Sequence, residues 1–243
     1  ERNNMIKKII GVWGESHKGH KRKLNEDRFL IRELPGITIL AVADGVGGNG
    51  NGEKAAEIVI DAFQTYKFSG EGIKDDLSAA LENAAKRIHH EINKNSNLAG
   101  MGATATSAIL YKDKIFWIHV GDSRIYLLRR KKIKQITTDH TFIQDFLDDG
   151  SLTIEQARTH PLRNMLDQCV GCDEMEPDSG IIHIKKGDRL LLCSDGLTMH
   201  LSDIQIESIL KMNSIQEAGE KLLNTALKMG GADNVTLIVK DLY

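Results

Sequence analysis

The chain has 243 residues, 41% of them hydrophobic, and a formal net charge of -2. A chain of this size can bury one large core, so we expect a single domain over residues 1–243. The balanced charge argues against a dedicated nucleic-acid-binding protein or a basic membrane-binding surface, and no apolar run approaches the roughly 18 residues of a membrane span.

The beginning of the chain and its cysteines predict the compartment. Residues 1–8 are polar and lack the apolar stretch of a secretory signal, and Met5 is a candidate native start. Three cysteines, an odd number, are more typical of a reducing compartment than of a disulfide framework. We therefore expect a cytoplasmic protein, acting as a monomer.

The first half of the chain predicts strands that are followed by two amphipathic helices. Pro35 and Gly36 separate two of the strands and predict a hairpin. Ala55, Ile58 and Val59 fall on one face of the first helix, which indicates that this face packs against a core. The predicted strands are residues 9–13, 28–34 and 37–43, and the predicted helices are residues 53–66 and about 75–95.

The second half predicts further strands and two more helices. A turn at Asp113 and a corner at residues 121–124 separate three apolar strands, which favours an antiparallel meander. Capping-box spacings predict the starts of both helices. The predicted strands are residues 102–111, 114–120, 125–130, 181–184, 189–193 and 235–239, and the predicted helices are 203–212 after Ser202 and 215–228 after Ser214.

An insert at residues 140–180 differs from its surroundings. It holds two of the three prolines, a helical pattern over 141–149 that stops at Gly150, and Thr153 with Gln156 as a second helix start. We predict a compact helical flap. Such a flap either lies beside a functional cleft or is a peripheral excursion without a role.

Asp44 is the most informative residue of the chain. It interrupts an apolar strand, and five glycines follow before Glu53 opens a helix. An unpaired carboxylate at the end of a buried strand costs several kcal/mol, so a cationic partner is expected. The glycines remove side-chain bulk, which lets Asp44, the Gly45 carbonyl and a ligand approach one another. The segment therefore predicts a binding site.

Other acidic residues also stand at predicted strand ends. One such aspartate is usually a turn residue that bonds its own backbone. If the strands form two packed sheets, however, their ends can converge, and carboxylates brought together must bind cations or take up protons. All-oxygen ligands favour Mg²⁺ or Mn²⁺ over zinc or copper. The residues concerned are Glu26, Asp27, Asp122, Asp195 and Asp233.

The glycine loop permits other interpretations. Gly45, Gly47 and Gly50 match G-x-G-x-x-G, as in a dinucleotide-binding fold, but a pyrophosphate there would face the Asp44 carboxylate. In addition, a second helix follows where the next parallel strand should come. An EF-hand that starts at Asp44 is excluded, because three of its ligand positions would be apolar residues or glycine. A plain glycine-rich connector leaves Asp44 unexplained.

Six short motifs combine these residues along the chain. They are Arg22 with Asn25-Glu26-Asp27, Ala43-Asp44-Gly45-Val46-Gly47-Gly48, Gly102-Ala103-Thr104, Gly121-Asp122-Ser123-Arg124, Ser194-Asp195-Gly196 and Ala232-Asp233-Asn234. Together they resemble the metal-dependent serine/threonine protein phosphatases of type 2C, in the family's order and from about residue 18 to residue 239. The resemblance implies an α+β fold: a four-layer α-β-β-α sandwich of two antiparallel sheets flanked by helices, with metals at one end of the sheets.

The resemblance also implies a role for each acidic residue. Asp44 would bridge two Mn²⁺ or Mg²⁺ ions, and Arg22 would bind the substrate phosphate. The other implied ligands are Glu26 and the Gly45 carbonyl for one ion, Asp195 and Asp233 for the other, Asp27 for metal-bound water, and Asp122 with Asp195 for the third ion found in bacterial-type members. The family's activity would follow: hydrolysis of phosphoserine and phosphothreonine in phosphorylated proteins, by direct attack of a metal-bridging hydroxide.

The chain departs from the family pattern in three places. Val46 stands where some members carry a histidine proposed as general acid, and neither metal-bound water nor the flap residue His160 is identified by sequence as its replacement. Gly102-Ala103-Thr104 and Leu166-Asp167-Gln168 also differ from the commoner runs, which affects the expected substrate contacts of the flap. The alternative function is therefore a phosphoprotein-binding module of the same fold with weakened catalysis.

Two remaining features favour no special role. Cys169 and Cys172 form a C-x-x-C without a second pair, so neither a metal site nor a redox role is favoured. Four basic residues lie between Lys18 and Lys23, which fits either a solvated turn or a mouth that attracts phosphopeptide.

Overall fold

The fold was established from a computed structural model, which describes residues 5–9, 11–157, 159–173 and 175–242. Within these residues the strands, in chain order, are β1 (Met5–Ile9), β2 (Val12–His17), β3 (Asp27–Leu34), β4 (Ile37–Val46), β5 (Gly102–Ala103), β6 (Ala105–Tyr111), β7 (Lys114–Val120), β8 (Arg124–Arg129), β9 (Lys132–Gln135), β10 (Asp178–His183), β11 (Arg189–Cys193) and β12 (Val235–Asp241). All the strand pairs are antiparallel within these described ranges.

The strands form two sheets. One has the order β1-β2-β12-β11-β8-β9, and the other has the order β10-β7-β6-β4-β3 with β5 paired to the end of β4. The helices in the described residues are α1 (Asn51–Thr65), α2 (Ile73–Lys94), α3 (Gln144–Asp148), α4 (Ile154–Ala157), α5 (Asp195–Thr198), α6 (Asp203–Leu210) and α7 (Ile215–Lys228). Over the same residues, none of these helices has the length and apolar character that crossing a bilayer requires.

Three apolar clusters divide the molecule into four layers. Side chains of both sheets, among them Leu40, Ile125 and Ile238, meet in a cluster between the sheets. A second cluster packs α1 and α2 on the outer face of the sheet that contains β4. A third packs α6 and α7 on the outer face of the sheet that contains β12. The predicted α-β-β-α sandwich of two antiparallel sheets is therefore confirmed.

The alternation of side chains along β4 determines where Asp44 points. Ile39 and Ala41 belong to the cluster under α1 and α2, whereas Leu40 and Val42 belong to the cluster between the sheets. Successive side chains of a strand point to opposite faces, so Asp44 shares the face of Leu40 and Val42. The strand therefore carries its carboxylate to the rim of the space between the two sheets.

Several predicted elements are confirmed. The hairpin at Pro35 and Gly36 joins β3 to β4 with Leu34 opposite Ile37. Ser202 and Gln205 form the predicted capping box at the start of α6. The side chain of Ser214 accepts a hydrogen bond from the backbone of Glu217 and so begins α7.

The predicted meander is wrong in its third strand. β6 and β7 pair as expected, but β8 pairs with β9 and β11 in the opposite sheet. Gly121, with φ of 104°, turns the chain across the sandwich at this point. The reason is that antiparallel neighbours and strands on opposite sheets have the same local apolar pattern, so that periodicity alone cannot assign the sheet.

Other predicted boundaries also change. The predicted strand 9–13 spans two strands, because β1 ends at Ile9 and β2 begins at Val12, while residue 10 lies outside the described residues. The predicted strand 102–111 breaks at Thr104 into β5 and β6.

The predicted flap is a largely irregular segment that begins at residue 140. The expected helix over 141–149 is shortened to α3, because Thr141 pairs with Leu166 as an isolated bridge and Phe142 donates to the Met165 carbonyl at 3.0 Å. The insert ends before its predicted boundary of 180, since β10 begins at Asp178. From here on, the flap denotes residues 140–177.

The cysteines correct a further expectation. A disulfide joins Cys169 to Cys172, whose Cα atoms lie 5.2 Å apart, and Cys193 is free and buried. The odd cysteine count argued for reduced thiols, but a count carries no information about distance. The turn of residues 169–172 is what brings the two sulfurs together.

Gly219 in α7 yields a stability prediction. A Cβ added to this glycine would stand 2.1 Å from Cε3 of the buried Trp13 ring. Alanine raises helix propensity by about 1 kcal/mol, but overpacking a core costs about 1–3 kcal/mol. We expect Gly219→Ala to lower the free energy of unfolding in urea, whereas Asn224→Ala on the exposed face of α7 raises or preserves it. A Gly219→Ala variant as stable as the Asn224→Ala control would contradict this packing.

Candidate active site

The candidate site begins with two carboxylates on neighbouring strands. Asp27 stands directly opposite Asp44 in the pairing of β3 with β4. Asp27 is fully buried, and the hydroxyl of Ser194 donates to its Oδ2 at 2.8 Å. Because Ser194 follows β11 of the other sheet, this hydrogen bond joins the two sheets at the rim. Asp195, the next residue, is thereby placed beside the pair.

Close backbone packing holds the loop of Asp195 against that of Asp233. A Cβ on Gly196 would stand 1.9 Å from the carbonyl oxygen of Asn234, so a larger residue at this position would separate the two loops. The pKa of Asp195 is raised by burial and then by the charges of Asp233 and Asp27, which indicates that these carboxylates lie within electrostatic reach of one another.

Asn234 connects two parts of the site. Its Oδ1 accepts from the backbone N–H of Glu26 at 2.8 Å, and its Nδ2 donates to the carbonyls of Lys18 and Leu24 at 2.8 and 2.9 Å. The side chain is 5% exposed. A single amide therefore holds the loop that carries Arg22 and Glu26 against the start of β12. The amide makes two donations and one acceptance here; an ionised carboxylate has no donor, and a hydroxyl has only one.

Two glycines place Glu26 near the Gly45 carbonyl. A Cβ on Gly45 would stand 2.1 Å from the carbonyl oxygen of Gly52, and a Cβ on Gly52 would stand 2.9 Å from Oε1 of Glu26. The Gly45 N–H also donates to the Glu26 carbonyl at 3.2 Å. The glycines of this loop therefore permit a close approach between the backbone and the Glu26 carboxylate.

Thr104 ties Asp44 to the corner that carries Asp122. The Asp44 N–H donates to Thr104 Oγ1 at 2.9 Å, and the Thr104 N–H donates to the Asp44 carbonyl at 2.8 Å. Thr104 Oγ1 in turn bonds the hydroxyl of Ser123 at 2.8 Å. Asp122 precedes Ser123 and is 9% exposed, so both ends of this network reach the same acidic cluster.

Arg22 lies at the mouth of the cluster. Its Nη2 donates to Oδ2 of Asp233 at 2.7 Å, while the side chain remains 52% exposed. The hydrogen bond to Asp233 raises the pKa of Arg22, and the charges of Asp44 and Asp195 raise it further. The guanidinium is therefore fully charged and can exchange Asp233 for an anion that enters from solvent.

The carboxylates disfavour one another's charge. Burial raises the pKa of Asp195 to about 7 and that of Asp27 to about 6, although the neighbouring hydroxyls of Thr236 and Ser194 oppose the shift at Asp27. Burial, followed by the charges of Asp27 and Asp195, raises the pKa of Asp44. Burial, followed by Asp195, does the same for Asp122. Without a cation, the cluster must hold protons at neutral pH.

The donor set fits a hard divalent cation. Three buried carboxylate oxygens of the cluster have no hydrogen-bond partner among the described residues: Glu26 Oε1, Asp27 Oδ1 and Asp195 Oδ1. Such atoms carry a desolvation penalty that an oxygen-seeking ion removes. As the side chains stand, no three acidic, histidine or cysteine residues in the described part of the chain enclose an ion. Binding would therefore require the carboxylates to turn toward a common centre.

A cavity of about 1010 Å³ opens beside the acidic cluster. It is lined by Asp122 and Asp195 of the cluster, by Leu147 and Arg163 of the flap, and by Ile204 of α6. The flap thus borders a cleft that reaches the candidate site.

The structure brings the predicted residues to one rim and adds three that sequence reasoning did not assign. Asn234, Thr104 and Ser194 position the acids through hydrogen bonds across the two sheets. Each stands next to a predicted acid or within a quoted motif, which was the available signal. Their roles depend on partners up to 216 residues away in sequence, so no local pattern reveals them.

The family model described as "Protein phosphatase 2C" matches residues 13–230. The serine/threonine phosphatase stp of Listeria welshimeri is 33% identical over 231 residues, covering 91% of this chain and 92% of that protein. The serine/threonine protein phosphatase PstP of Mycobacterium tuberculosis is 37% identical over 235 residues, which cover 96% of this chain.

A solved structure is similar as well. The catalytic domain of the serine threonine protein phosphatase PstP, in complex with 2 manganese ions, aligns with a TM-score of 0.88 and 34% identity over 95% of this chain and 97% of that one. The present chain spans about half, 45%, of the length of the full Mycobacterium tuberculosis PstP.

The raised pKa values predict how stability depends on pH. In the metal-free protein the folded state binds more protons than the unfolded state, so stability increases as the pH falls from about 7 toward 3.8, the ordinary aspartate value. We expect the free energy of unfolding of metal-free Asp195→Asn to exceed that of metal-free wild type by about 2 to 4 kcal/mol at about pH 7.5. This difference should vanish below about pH 4. Urea unfolding in chelator measures this.

Asp173→Asn, on an exposed loop, is the matched control and should leave the free energy of unfolding unchanged at both pH values. If Asp195→Asn were no more stable than wild type near neutral pH, the carboxylates would not repel one another as described.

Proposed function

The chain belongs to the protein phosphatase 2C family, and on that premise we propose that it is a metal-dependent phosphatase of phosphoserine and phosphothreonine in phosphorylated proteins. The observation that carries the proposal is the set of unpartnered carboxylate oxygens on Glu26, Asp27 and Asp195 at one rim of the sandwich. Buried carboxylates without partners are unfavourable unless a cation binds them.

The ligand assignment follows the donors around that rim. Asp44 would be shared between two ions, with Glu26 and the Gly45 carbonyl on one side and Asp195 with Asp233 on the other; Asp122 would serve a third. The manganese complex of the PstP catalytic domain supports a divalent ion of this kind. When bound, such ions lower the pKa of a water molecule and offset charge on the phosphoryl oxygens.

Arg22 would orient the substrate. Its guanidinium is exposed at the mouth and is held by the single carboxylate oxygen Oδ2 of Asp233. A phosphate monoester offers two oxygens to the planar fork, which is a better match than one carboxylate oxygen. Arg22 would therefore bind the phosphoryl group and stabilise the negative charge that develops during attack on phosphorus.

Asp27 would position the attacking water. Its Oδ2 is occupied by the Ser194 hydroxyl, whereas its Oδ1 has no partner among the described residues. The free oxygen can accept a hydrogen bond from water and so direct the oxygen lone pair toward phosphorus. Val46, adjacent to the Gly45 carbonyl, supplies no proton to the leaving alkoxide, so that proton must come from another group.

The other candidate is a phosphoprotein-binding module of the same fold. Loss of the metal acids would be expected in such a protein, but Asp44, Asp195, Asp233 and Arg22 are all present. This retention favours the enzyme. A cytoplasmic location, a monomeric state and the absence of nucleic-acid partners remain predictions.

Removal of the metal or of its shared ligand tests the activity. We expect release of phosphate from a phosphothreonine peptide in Mn²⁺, none in chelator, and about 1000-fold lower kcat for Asp44→Asn. Asp76→Asn is the matched control, since Asp76 on α2 also carries a buried unpartnered oxygen but lies outside the cluster. Turnover in chelator would contradict the metal requirement; peptide binding without turnover would favour the binding module.

A second test separates phosphate binding from catalysis. Arg22→Ala should raise KM for the phosphopeptide by about 10- to 100-fold, because a charge-assisted bidentate interaction is lost. Arg22→Lys should lower KM only part of the way back to the wild-type value, since an ammonium group lacks the planar fork of the guanidinium. The control is Lys23→Ala at the neighbouring exposed position. Equal KM values for the two alanine variants would contradict the assignment of phosphate binding to Arg22.

A further inference from the structure

The disulfide between Cys169 and Cys172 lies at the end of the flap that rejoins the sandwich. The turn of residues 169–172 contacts β5 through Val170. The Val170 N–H donates to the Ala103 carbonyl at 2.8 Å, and the Ala103 N–H donates to the Val170 carbonyl at 3.1 Å. Such a reciprocal pair of hydrogen bonds is the unit of an antiparallel ladder.

That ladder continues to the acidic cluster. Ala103 pairs with Gly45, and Gly102 pairs with Val46. The disulfide turn, β5 and the end of β4 are therefore three neighbouring backbone segments joined by hydrogen bonds. The end of β4 carries Asp44 and the Gly45 carbonyl.

The turn is packed tightly onto β5. A Cβ on Gly102 would stand 2.7 Å from Sγ of Cys169, so this sulfur lies directly on the β5 backbone. Val170 is fully buried in the cluster under α2. Gly171 has φ of 104°, and a Cβ there would stand 2.6 Å from Cγ2 of Ile88. A change in the shape of this turn would therefore displace β5 or the core beneath it.

The two sulfur-bearing residues differ in accessibility. Cys169 is 5% exposed, whereas Cys172 is only partly buried. A reductant from solvent would therefore reach the Cys172 side of the bond first. The C-x-x-C spacing keeps the two thiols adjacent after reduction, which allows the bond to form again within the chain.

From this arrangement we propose that Cys169 and Cys172 form a reversible thiol–disulfide exchange site, with a protein or small-molecule dithiol as its reductant. A thiolate of the dithiol attacks Sγ of Cys172 and forms a mixed disulfide, while Cys169 leaves as a thiolate and takes a proton from solvent. The second thiol of the reductant then attacks the reductant's first sulfur, which is bonded to Cys172 in the mixed disulfide, and Cys172 leaves as a thiolate that takes up a proton. Two cysteine thiols form here, and the dithiol becomes a disulfide.

The exchange alters the support of the Asp44 loop. In the oxidised form the cross-link fixes the turn that pairs with Ala103; in the reduced form the turn gains conformational freedom, and β5 loses its fixed outer neighbour. The expected effect on catalysis rests on the proposed function. The expected effect on backbone protection does not.

The first test counts thiols in denaturant. Because the chain has three cysteines and Cys193 is free, the oxidised protein should titrate one thiol and the protein treated with dithiothreitol should titrate three. Removing the dithiothreitol and adding oxidised glutathione should return the count to one. Three thiols in every condition would overturn the proposal.

The second test follows amide hydrogen exchange in both forms, without metal. We expect the Ala103, Thr104 and Val170 amides to exchange about tenfold faster after reduction, and the Leu191 amide in the opposite sheet to be unchanged. The Cys169→Ser/Cys172→Ser double variant should match the reduced form and ignore dithiothreitol. If it does not fold, reduced wild type provides the same comparison. Equal protection in the oxidised and reduced forms would overturn the coupling.

The third test measures phosphopeptide turnover in Mn²⁺. We expect kcat/KM to fall about fivefold on reduction, a size typical of coupling through packed neighbours. Equal kcat/KM in the two forms would show that the exchange does not reach catalysis and would overturn that part of the proposal. Absence of turnover in both forms would instead count against the proposed phosphatase activity, while the thiol and amide measurements would still decide the exchange site.

Discussion

Mutual repulsion among buried carboxylates is the constraint on which the rest of this structure depends. Asp27 and Asp44 face each other across two strands, and Asp195 reaches them from the opposite sheet. Burial and like charge together raise the pKa values of all three. A fold that brings such groups together must compensate for their charge, and a bound divalent cation does so more completely than protonation at neutral pH.

The hydrogen bonds around the cluster supply the rigidity that this arrangement requires. Asn234 holds the loop of Glu26, and Thr104 holds the backbone of Asp44. Both residues bond mainly to the backbone, so they fix the position of each acid without occupying its carboxylate oxygens. The groups that hold the backbone are therefore different from the carboxylate oxygens, which preserves the negative potential of the cluster.

The flap is attached to both sides of this cluster. At one end, the His140 N–H donates to the Gly121 carbonyl at 2.7 Å, next to Asp122. At the other, Val170 pairs with Ala103, next to the Gly45 loop. A change at either attachment can therefore be transmitted to the acids through one layer of backbone.

Local pattern determined much of this protein: most strands and helices, the hairpin before Asp44, the helix caps, and the set of acids at strand ends. These features depend on neighbours within a few residues, so periodicity and turn chemistry report them. The tertiary structure alone decided that β8 crosses to the second sheet, that Asn234 joins the loop before β3 to the start of β12, and that Cys169 meets Cys172. Each of these depends on how the chain returns to itself in space, and a distance between side chains is not encoded in the spacing of residues along the chain.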